Sequence, residues 1–490
     1  MIVALVLRSQ RRIALTLNSY SDVTVAMAMT RKFDAIVIGT GQSGPPLADR
    51  LTQEGFRTAI IERKHVGGTC VNTGCIPTKT LVASARVAHQ ARRAAEYGVK
   101  VGRQLSVDMK RVKARKDRIS LQSRAGVTRW IKSLPNATFY RGHARFESPR
   151  TVRVNDELLE AEQIFINVGA RALIPEMPGI DEIDYLTNSS MMHVDFLPKH
   201  LVIIGGSYVG LEFGQMYRRF GSRVTVIEQC ERLIGREDPD ISDTIRKILE
   251  KEGIEIRLNA KCIAVQRRGK DAVAVDLDCR KLPRRVNGSH LLLAVGRRPN
   301  TDDLGLEAAG VATDERGYIQ VDEQLRTNVP CIWAIGDCNG RGAFTHTSFN
   351  DYEIVAANLF DGENRRVSDR ITAYGLFIDP PLGRAGMTEA EVRKTGRKAL
   401  IATYPMSSVG RARERGETQG FMKVLVDAES GKTLGVGILG IGGDEVVHAF
   451  LDVMYAGAPY TVITRAMHIH PTVAEYMPTL LGNLEPLKQC

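Results

Sequence analysis

FDAIVIGTGQSG, residues 33 to 44, is an apolar run that ends in three glycines, Gly39, Gly41 and Gly44. The run reads as a strand buried on both faces, and the glycines as a tight turn into a helix. TAIIE follows, a second strand ending at Glu62. The same design returns in LVIIGGSYVGLEFG, residues 201 to 214, which holds Gly205 and Gly210 and is followed by RVTVIE ending at Glu228. Gly39 precedes Glu62 by 23 residues, and Gly205 precedes Glu228 by the same 23. Strand, glycines, helix, second strand and terminal acid in register make the dinucleotide-binding βαβ fingerprint. Glycine lets the backbone turn and approach a pyrophosphate, whose charge then meets the unpaired amides of a helix N-terminus. The acid accepts hydrogen bonds from a ribose. One such segment could be a structural turn with incidental glycines; two with matched offsets make two nucleotide-binding units.

Two departures stand out. Pro45 and Pro46 follow Gly44 directly, where a missing amide is tolerated only in the first helical turn, so Pro46 is expected to distort the helix start. Ser207 occupies the middle glycine position of the second turn, which predicts a slightly looser cofactor approach. Further on, AVGRRPNT (294 to 301, with Gly296) and CIWAIGDC (331 to 338) read as strands ending in glycine and a polar residue. The second puts Asp337 at a strand's carboxyl end, where ligands of α/β sheets gather. From about Ile371 the pattern changes to alternating strands, Gly420 to Val426 and Thr433 to Leu439, and then a helix from about Asp444. That predicts a separate α+β domain.

A chain of 490 residues is too long for one core and suggests about three domains. No apolar run approaches the 18 or so residues that a membrane-spanning helix needs. The net charge of +11 is concentrated between Lys110 and Arg129. Val112, Ile119, Leu121, Val127, Trp130 and Ile131 interleave with those charges at helical spacing, so a solvated helix face is preferred to a nucleic-acid site. Eight cysteines are too few for a disulfide-stapled scaffold. Cys230, Cys262, Cys279, Cys331, Cys338 and Cys490 have no partner at a motif spacing and are expected to be reduced thiols of a cytoplasmic protein. Residues 1–29 carry Arg8, Arg11 and Arg12 and no acid before Asp22. Their start resembles an organellar transit peptide, but a disordered extension, or a true start at Met27 or Met29, is the preferred reading.

GGTCVNTGCIPTK, residues 67 to 79, holds Cys70 and Cys75 with four residues between them, then Pro77 and Lys79. If a helix begins near Cys70, the sulfurs lie more than a turn apart and a disulfide needs local distortion. A helix start lowers a thiol pKa and favours the reactive thiolate. The loop is too short to stabilise the fold by much, and two thiolates alone make a poor metal site, so catalysis is the better reading. At the other end, HIHPTVAEYMP (468 to 478) carries His468, His470 and Glu475. A metal site would need more ligands. A general acid/base histidine with an orienting carboxylate and a satisfied structural histidine both remain open.

Together these motifs resemble the class I pyridine nucleotide-disulfide oxidoreductases, among them lipoamide dehydrogenase, glutathione reductase and mercuric reductase, over nearly all of Phe33 to Pro478. The resemblance implies a homodimer of chains with two Rossmann-like domains and a C-terminal α+β dimerisation domain. FAD would be held by 30–175 with 300–368, NAD(P) by 176–299, and the interface would lie in 369–490. Gly39, Gly41, Gly44 and Glu62 would hold the FAD adenosine and pyrophosphate, and Asp337 its ribityl chain, with Gly68, Thr69 and Gly296 among the cofactor contacts. Gly205, Gly210 and Glu228 would hold the nicotinamide dinucleotide, the carboxylate favouring NAD over NADP. Hydride from NADH would pass to the flavin and then, as an electron pair, to the Cys70/Cys75 disulfide. Cys75 would be the flavin-proximal thiolate and Cys70 the interchange thiol. Lys79 and Glu212 would tune the flavin, Tyr208 would gate the nicotinamide pocket, and His470 with Glu475 would be donated across the dimer interface. PTKTLV (77 to 82) and REDP (236 to 239) lean towards the mercuric reductase-like and reactive-chlorine-resistance branch, yet no vicinal cysteine pair closes the chain and Cys490 is alone. The expected substrate is a small disulfide or a thiol-reactive metal ion, and the alternative is a dihydrolipoamide dehydrogenase subunit of a 2-oxo-acid complex. No resident metal, nucleic acid or membrane is expected.

Overall fold

The protein is seen in a computed structural model that describes residues 30–102, 105–269, 272–278 and 284–488. The reading of residues 1–29 and those of Cys279 and Cys490 fall outside the described residues, as does the side chain of Cys262.

Thr30–Ile38 lies at the centre of the first sheet, parallel to Thr58–Glu62 on one side and to Glu157–Ile166 on the other. Ala35, Ile36, Val37 and Ile60 are fully buried, as a parallel strand covered on both faces requires. Ala137–Arg141 extends one edge, and Thr151–Val154 and Ala144–Ser148 extend the other. Ile332–Ala334 returns from far down the chain to pair in parallel with Ile164–Ile166, so the first sheet is built from two separated stretches. The second sheet has the order Glu255–Arg257, Arg223–Ile227, His200–Ile204, His290–Leu293, Tyr185–Leu186, every pair parallel. A three-stranded antiparallel sheet, Lys261–Arg267, Val273–Asp278 and Arg285–Gly288, stands beside it.

From Ala373 the chain forms a six-stranded antiparallel sheet backed by the helix Gly443–Tyr455. Its strands Phe421–Asp427 and Thr433–Leu439 and that helix fall within a residue or two of the sequence reading. The mixed α/β architecture is the one expected.

One local expectation is corrected, and a second, the solvated basic helix, holds with one buried lysine added. The helix Gly44–Gln53 runs undistorted past Pro45 and Pro46, because both fall in its first turn, where backbone amides have no partner to lose. The basic stretch is the helix Met109–Ser133, capped by Asp108, whose carboxylate accepts the Arg111 amide at 3.1 Å. Its apolar residues do not form one stripe: Ile131 is buried, while Leu121 and Trp130 are exposed. Lys116, on the charged sequence, is buried instead, with Nζ donating to the Met192 carbonyl at 2.6 Å.

Candidate active site

A helix does begin near Cys70, and the distortion that the cysteine spacing called for is a break between the two cysteines. Gly67, with a φ of 97°, turns the chain into a five-residue helix, Gly68–Asn72, that carries Cys70. Asn72 closes it by donating to the Gly68 and Val66 carbonyls at 2.8 and 3.0 Å. Thr73 and Gly74 break the helix, and a second one, Cys75–Arg93, begins at Cys75 itself. Cys75 therefore holds the position of unpaired amides, and Pro77, two residues on, sacrifices no bond. Both thiols are free and half-buried. Cys75 Sγ lies 3.0 Å from Thr345 Oγ1, on the first residue of the helix Thr345–Phe360. A hydrogen bond from Cys70 lowers the Cys75 pKa to about 6, with help from Thr345 and the Lys79 charge and against its burial. The same bond, seen from Cys70, joins with burial to push that thiol strongly upwards. One thiolate and one thiol result, on the residues the sequence singled out.

Lys79 follows Cys75 by one helical turn. Its Nζ sits 2.8 and 3.0 Å from the Glu212 carboxylate, which is 5% exposed and comes from the helix Tyr208–Phe220 of the second sheet. Glu212 also accepts the Phe377 amide at 3.1 Å, and the Phe377 ring lies 4.5 Å beneath Lys79 Nζ. One ion pair thus joins the cysteine helix, the second nucleotide unit and the C-terminal unit.

In the first turn, a Cβ on Gly39 would stand 2.2 Å from the Asn167 carbonyl, and one on Gly44 would stand 2.2 Å from that of Gly39. Glu62 reaches back over the turn: Oε2 accepts Thr40 N at 3.1 Å and Thr40 Oγ1 at 2.6 Å, and Oε1 accepts Lys64 N at 2.8 Å. Glu228 does the same in the second turn, accepting Gly206 N at 2.7 Å and Cys230 N at 2.9 Å. Asp337 sits just past the strand Ile332–Ala334, 3.3 Å from Arg297 Nη2, and burial pushes its carboxyl pKa upwards.

A cavity of about 1580 Å³ gathers most of these groups: Gly39, Gly41, Glu62, Gly68 and Thr69 on one wall, both cysteines, Lys79, Tyr208 and Glu212 on another, and Asp337 between. Gly44 is packed behind the turn, and Gly205, Gly210, Glu228 and Gly296 lie outside the cavity, the first three in the second sheet's own turn. His470 is not brought to the cysteines. It is 79% exposed at its side chain, with Nδ1 2.8 Å from Glu475 Oε2, and it does not line the cavity of its own chain. His468 is turned away, its Nδ1 against the Ala466 carbonyl at 3.1 Å. Sequence reasoning missed Thr345, Phe344, Tyr374 and Arg297, all on the cavity wall. Arg297 lay inside the quoted AVGRRPNT, whereas the other three carry no motif. Among the described residues no group of three or more His, Cys, Asp or Glu is placed to hold a metal ion, and no helix is long and apolar enough to cross a membrane.

The pyridine nucleotide-disulphide oxidoreductase family model matches residues 33–351, and the dimerisation-domain model of the same family matches 372–481. The chain belongs to this family. A probable pyridine nucleotide-disulfide oxidoreductase, RclA, of Escherichia coli strain K12 is 36% identical over 92% of this chain and 99% of its own. A dihydrolipoyl dehydrogenase of Thermus scotoductus is 34% identical over 91% of this chain and 96% of its own. A mercuric reductase of Streptomyces lividans is also 34% identical, over 90% and 94%. The solved Cu(II) complex of the E. coli HOCl-induced flavoprotein disulfide reductase RclA superposes with a TM-score of 0.84 at 34% identity, covering 92% of this chain and 99% of that one. Family membership carries with it an oxidoreductase activity, FAD, a pyridine nucleotide and dimerisation through the C-terminal unit.

Proposed function

We propose that this protein is an NADH-dependent flavoprotein reductase that uses Cys70 and Cys75 to reduce a small disulfide or a thiol-reactive metal ion. The observation that carries the reading is the asymmetry of the pair: a thiolate at the start of the helix Cys75–Arg93, bonded by Thr345, next to a thiol whose pKa is raised.

The residues present fit an FAD. The chain's own packing demands glycine at positions 39 and 44, whereas a Cβ on Gly41 would meet nothing nearer than the Asn167 amide at 3.4 Å. A pyrophosphate lying against Gly41 supplies the missing reason. Arg297 Nε, buried on the cavity side without a partner, and Asp337 are the polar groups left for the ligand's central portion. Residues 30–175 with 300–368 would form this unit, in keeping with the return of Ile332–Ala334 to the first sheet. Residues 176–299 would take the nucleotide and 369–490 the second subunit. Bound FAD supplies the relay of an electron pair from NADH to the disulfide. Glu228 suits a free ribose 2′-hydroxyl and repels a 2′-phosphate, hence NAD over NADP.

The chain's own groups account for the remaining steps. Lys79, held by Glu212, places a positive charge beside the Cys75 thiolate and stabilises it. Cys70 Sγ loses its proton to a base and attacks one sulfur of the substrate disulfide, releasing the first thiolate. Cys75 then displaces the second thiolate as the Cys70–Cys75 bond closes, so two electrons pass to the substrate; the proton lost by Cys70 goes to one product thiolate through the base, and solvent protonates the other. His470, oriented by Glu475 but remote from its own chain's thiols, is the base offered by the second subunit. A metal ion would be taken up by the same two thiols. The copper complex of the E. coli relative makes Cu(II) a first ion to try. The HPT motif with Glu475 and the Thermus relative favour lipoamide as the second reading.

The experiment is an anaerobic titration of the holoenzyme with NADH, followed by turnover with lipoamide, oxidised glutathione, Hg(II) and Cu(II). A long-wavelength thiolate-to-flavin band is expected after two electrons, fading as the pH falls through about 6, because the Cys75 pKa is depressed and its thiolate persists above that value. Cys70→Ser and Cys75→Ser should each abolish turnover and keep FAD bound. Flavin bleaching without the band, or turnover in either variant, would refute the assignment.

A further inference from the structure

The REDP stretch belongs by sequence to the second unit, yet its acids are buried in the third. Arg384 bonds Glu237 and reaches Asp238 at 3.5 Å. Lys423 Nζ lies 3.2 Å from Asp238, 2.8 Å from Asp240 and 3.0 Å from Glu389. The side chains of Arg384, Lys423 and Glu237 are at most 1% exposed. Buried ion pairs recover their desolvation cost poorly, so such a cluster is better explained by what it fixes in place than by net stability. What it fixes is an aromatic wall. The Tyr374 hydroxyl donates to Glu237 Oε1 at 2.6 Å, and its ring stacks on Phe344 with centroids 5.8 Å apart. Tyr208 stands edge-on to both rings, 5.6 Å from each. The wall cannot follow if Tyr208 moves, because Ala373–Leu376 is paired with Leu382–Gly386 and the next residue, Phe377, bonds Glu212.

Tyr208 is also poised to leave. Its hydroxyl is buried with no formed hydrogen bond, although Tyr374 lies close enough to favour its ionised form weakly. Burial and the Glu237 charge outweigh that and push its pKa up to about 12, so it stays a neutral, unsatisfied donor. Moving the ring into water or against a ligand would satisfy it.

We infer that Arg384, Glu237 and Tyr374 are positioning residues for nucleotide access, forming an anchored wall against which Tyr208 closes over the nicotinamide pocket. The inference rests on the reading of Tyr208 as the cover of that pocket. The anchor sets how firmly the cover seats, and the unsatisfied hydroxyl biases it towards opening.

The test is the NADH dependence of anaerobic flavin reduction in the holoenzyme. Tyr374→Phe keeps the ring and cuts it from Glu237, so the apparent Kd for NADH should fall about three- to tenfold with little change in the limiting rate. Tyr208→Phe removes the unsatisfied hydroxyl, stabilises the closed cover and should raise the apparent Kd by about fivefold. It is informative even if Tyr374→Phe does not fold. Shifts of the same sign in the two variants, or a lower thermal transition with unchanged Kd, overturn the inference. Tyr208→Ala separates the two readings. An unaltered Kd there removes Tyr208 as the cover, whereas an altered one with an inert Tyr374→Phe sinks the anchored wall alone.

Discussion

The two glycine-rich turns share their outer glycines and differ at the middle one, and the second turn's helix begins two residues sooner, at Tyr208 against Gly44. Gly205 and Gly210 repeat the constraints of Gly39 and Gly44: a Cβ on Gly205 would stand 2.3 Å from the Ala294 carbonyl, and one on Gly210 would stand 2.0 Å from that of Gly205. Both acids clasp their own turn through backbone amides. The middle position is where they part, with Gly41 in one turn and Ser207 in the other. The outer glycines therefore serve the crossing of strand and helix, while the middle position is free of that constraint and, on the proposed reading, answers to the ligand. On that reading the fingerprint mixes a folding signal with a binding signal, and of its three glycines only the one assigned to binding differs between the two turns.

Substitution can break that division, and the largest effects belong to the folding signal. Gly39→Ala and Gly205→Ala each set a Cβ against a carbonyl at a φ above 100°, which should cost more than about 3 kcal/mol. Little folded protein should be recovered, as judged by soluble yield and thermal transition. Gly41→Ala should separate the two signals: its thermal transition should stay within about 1 kcal/mol of the parent, while the flavin content after purification drops by about tenfold or more. A Gly41 variant that unfolds like Gly39→Ala would erase the distinction. Glu228→Ala comes next. Removing the carboxylate should lower the preference for NADH over NADPH by about tenfold, read from the two kcat/KM values. An unchanged ratio would mean that Glu228 serves only Gly206 and Cys230.

The outer glycines were legible in the sequence for the same reason that they are structural: they answer to neighbours fixed by the strand pattern. Both parallel strand–helix–strand units, the α+β unit after Ile371 and the local setting of Cys70 and Cys75 could be read in advance because periodicity and spacing are local signals. The helix break between the cysteines was legible only as a local distortion that their spacing requires, and its place at Thr73 and Gly74 follows from residues that favour turns. Thr345 had no chance of detection, lying 270 residues from the thiol it touches. Glu237 and Arg384 were similarly hidden: each reads as a surface charge, and their burial exists only once two units pack together. Lys116 failed in the opposite way, counted with a solvated face while its ammonium reaches a carbonyl inside.

Ser207 gives the smallest effect and the closest test of the comparison. It holds the N-cap position of Tyr208–Phe220 in an extended conformation, φ −112° and ψ −169°, but its side chain accepts no amide from that helix. A serine at an N-cap that does not cap makes little contribution to the helix end, so Ser207→Gly should cost only a few tenths of a kcal/mol. If the side chain merely holds the dinucleotide away, removing it should tighten NADH by about two- to fivefold and leave FAD content unchanged. If NADH instead weakens, the hydroxyl is a ligand contact that replaces a glycine's close approach, and the second turn reads its nucleotide by a hydrogen bond where the first reads it by space. Either result is a statement about the middle position alone, because the outer glycines hold the turn in both proteins.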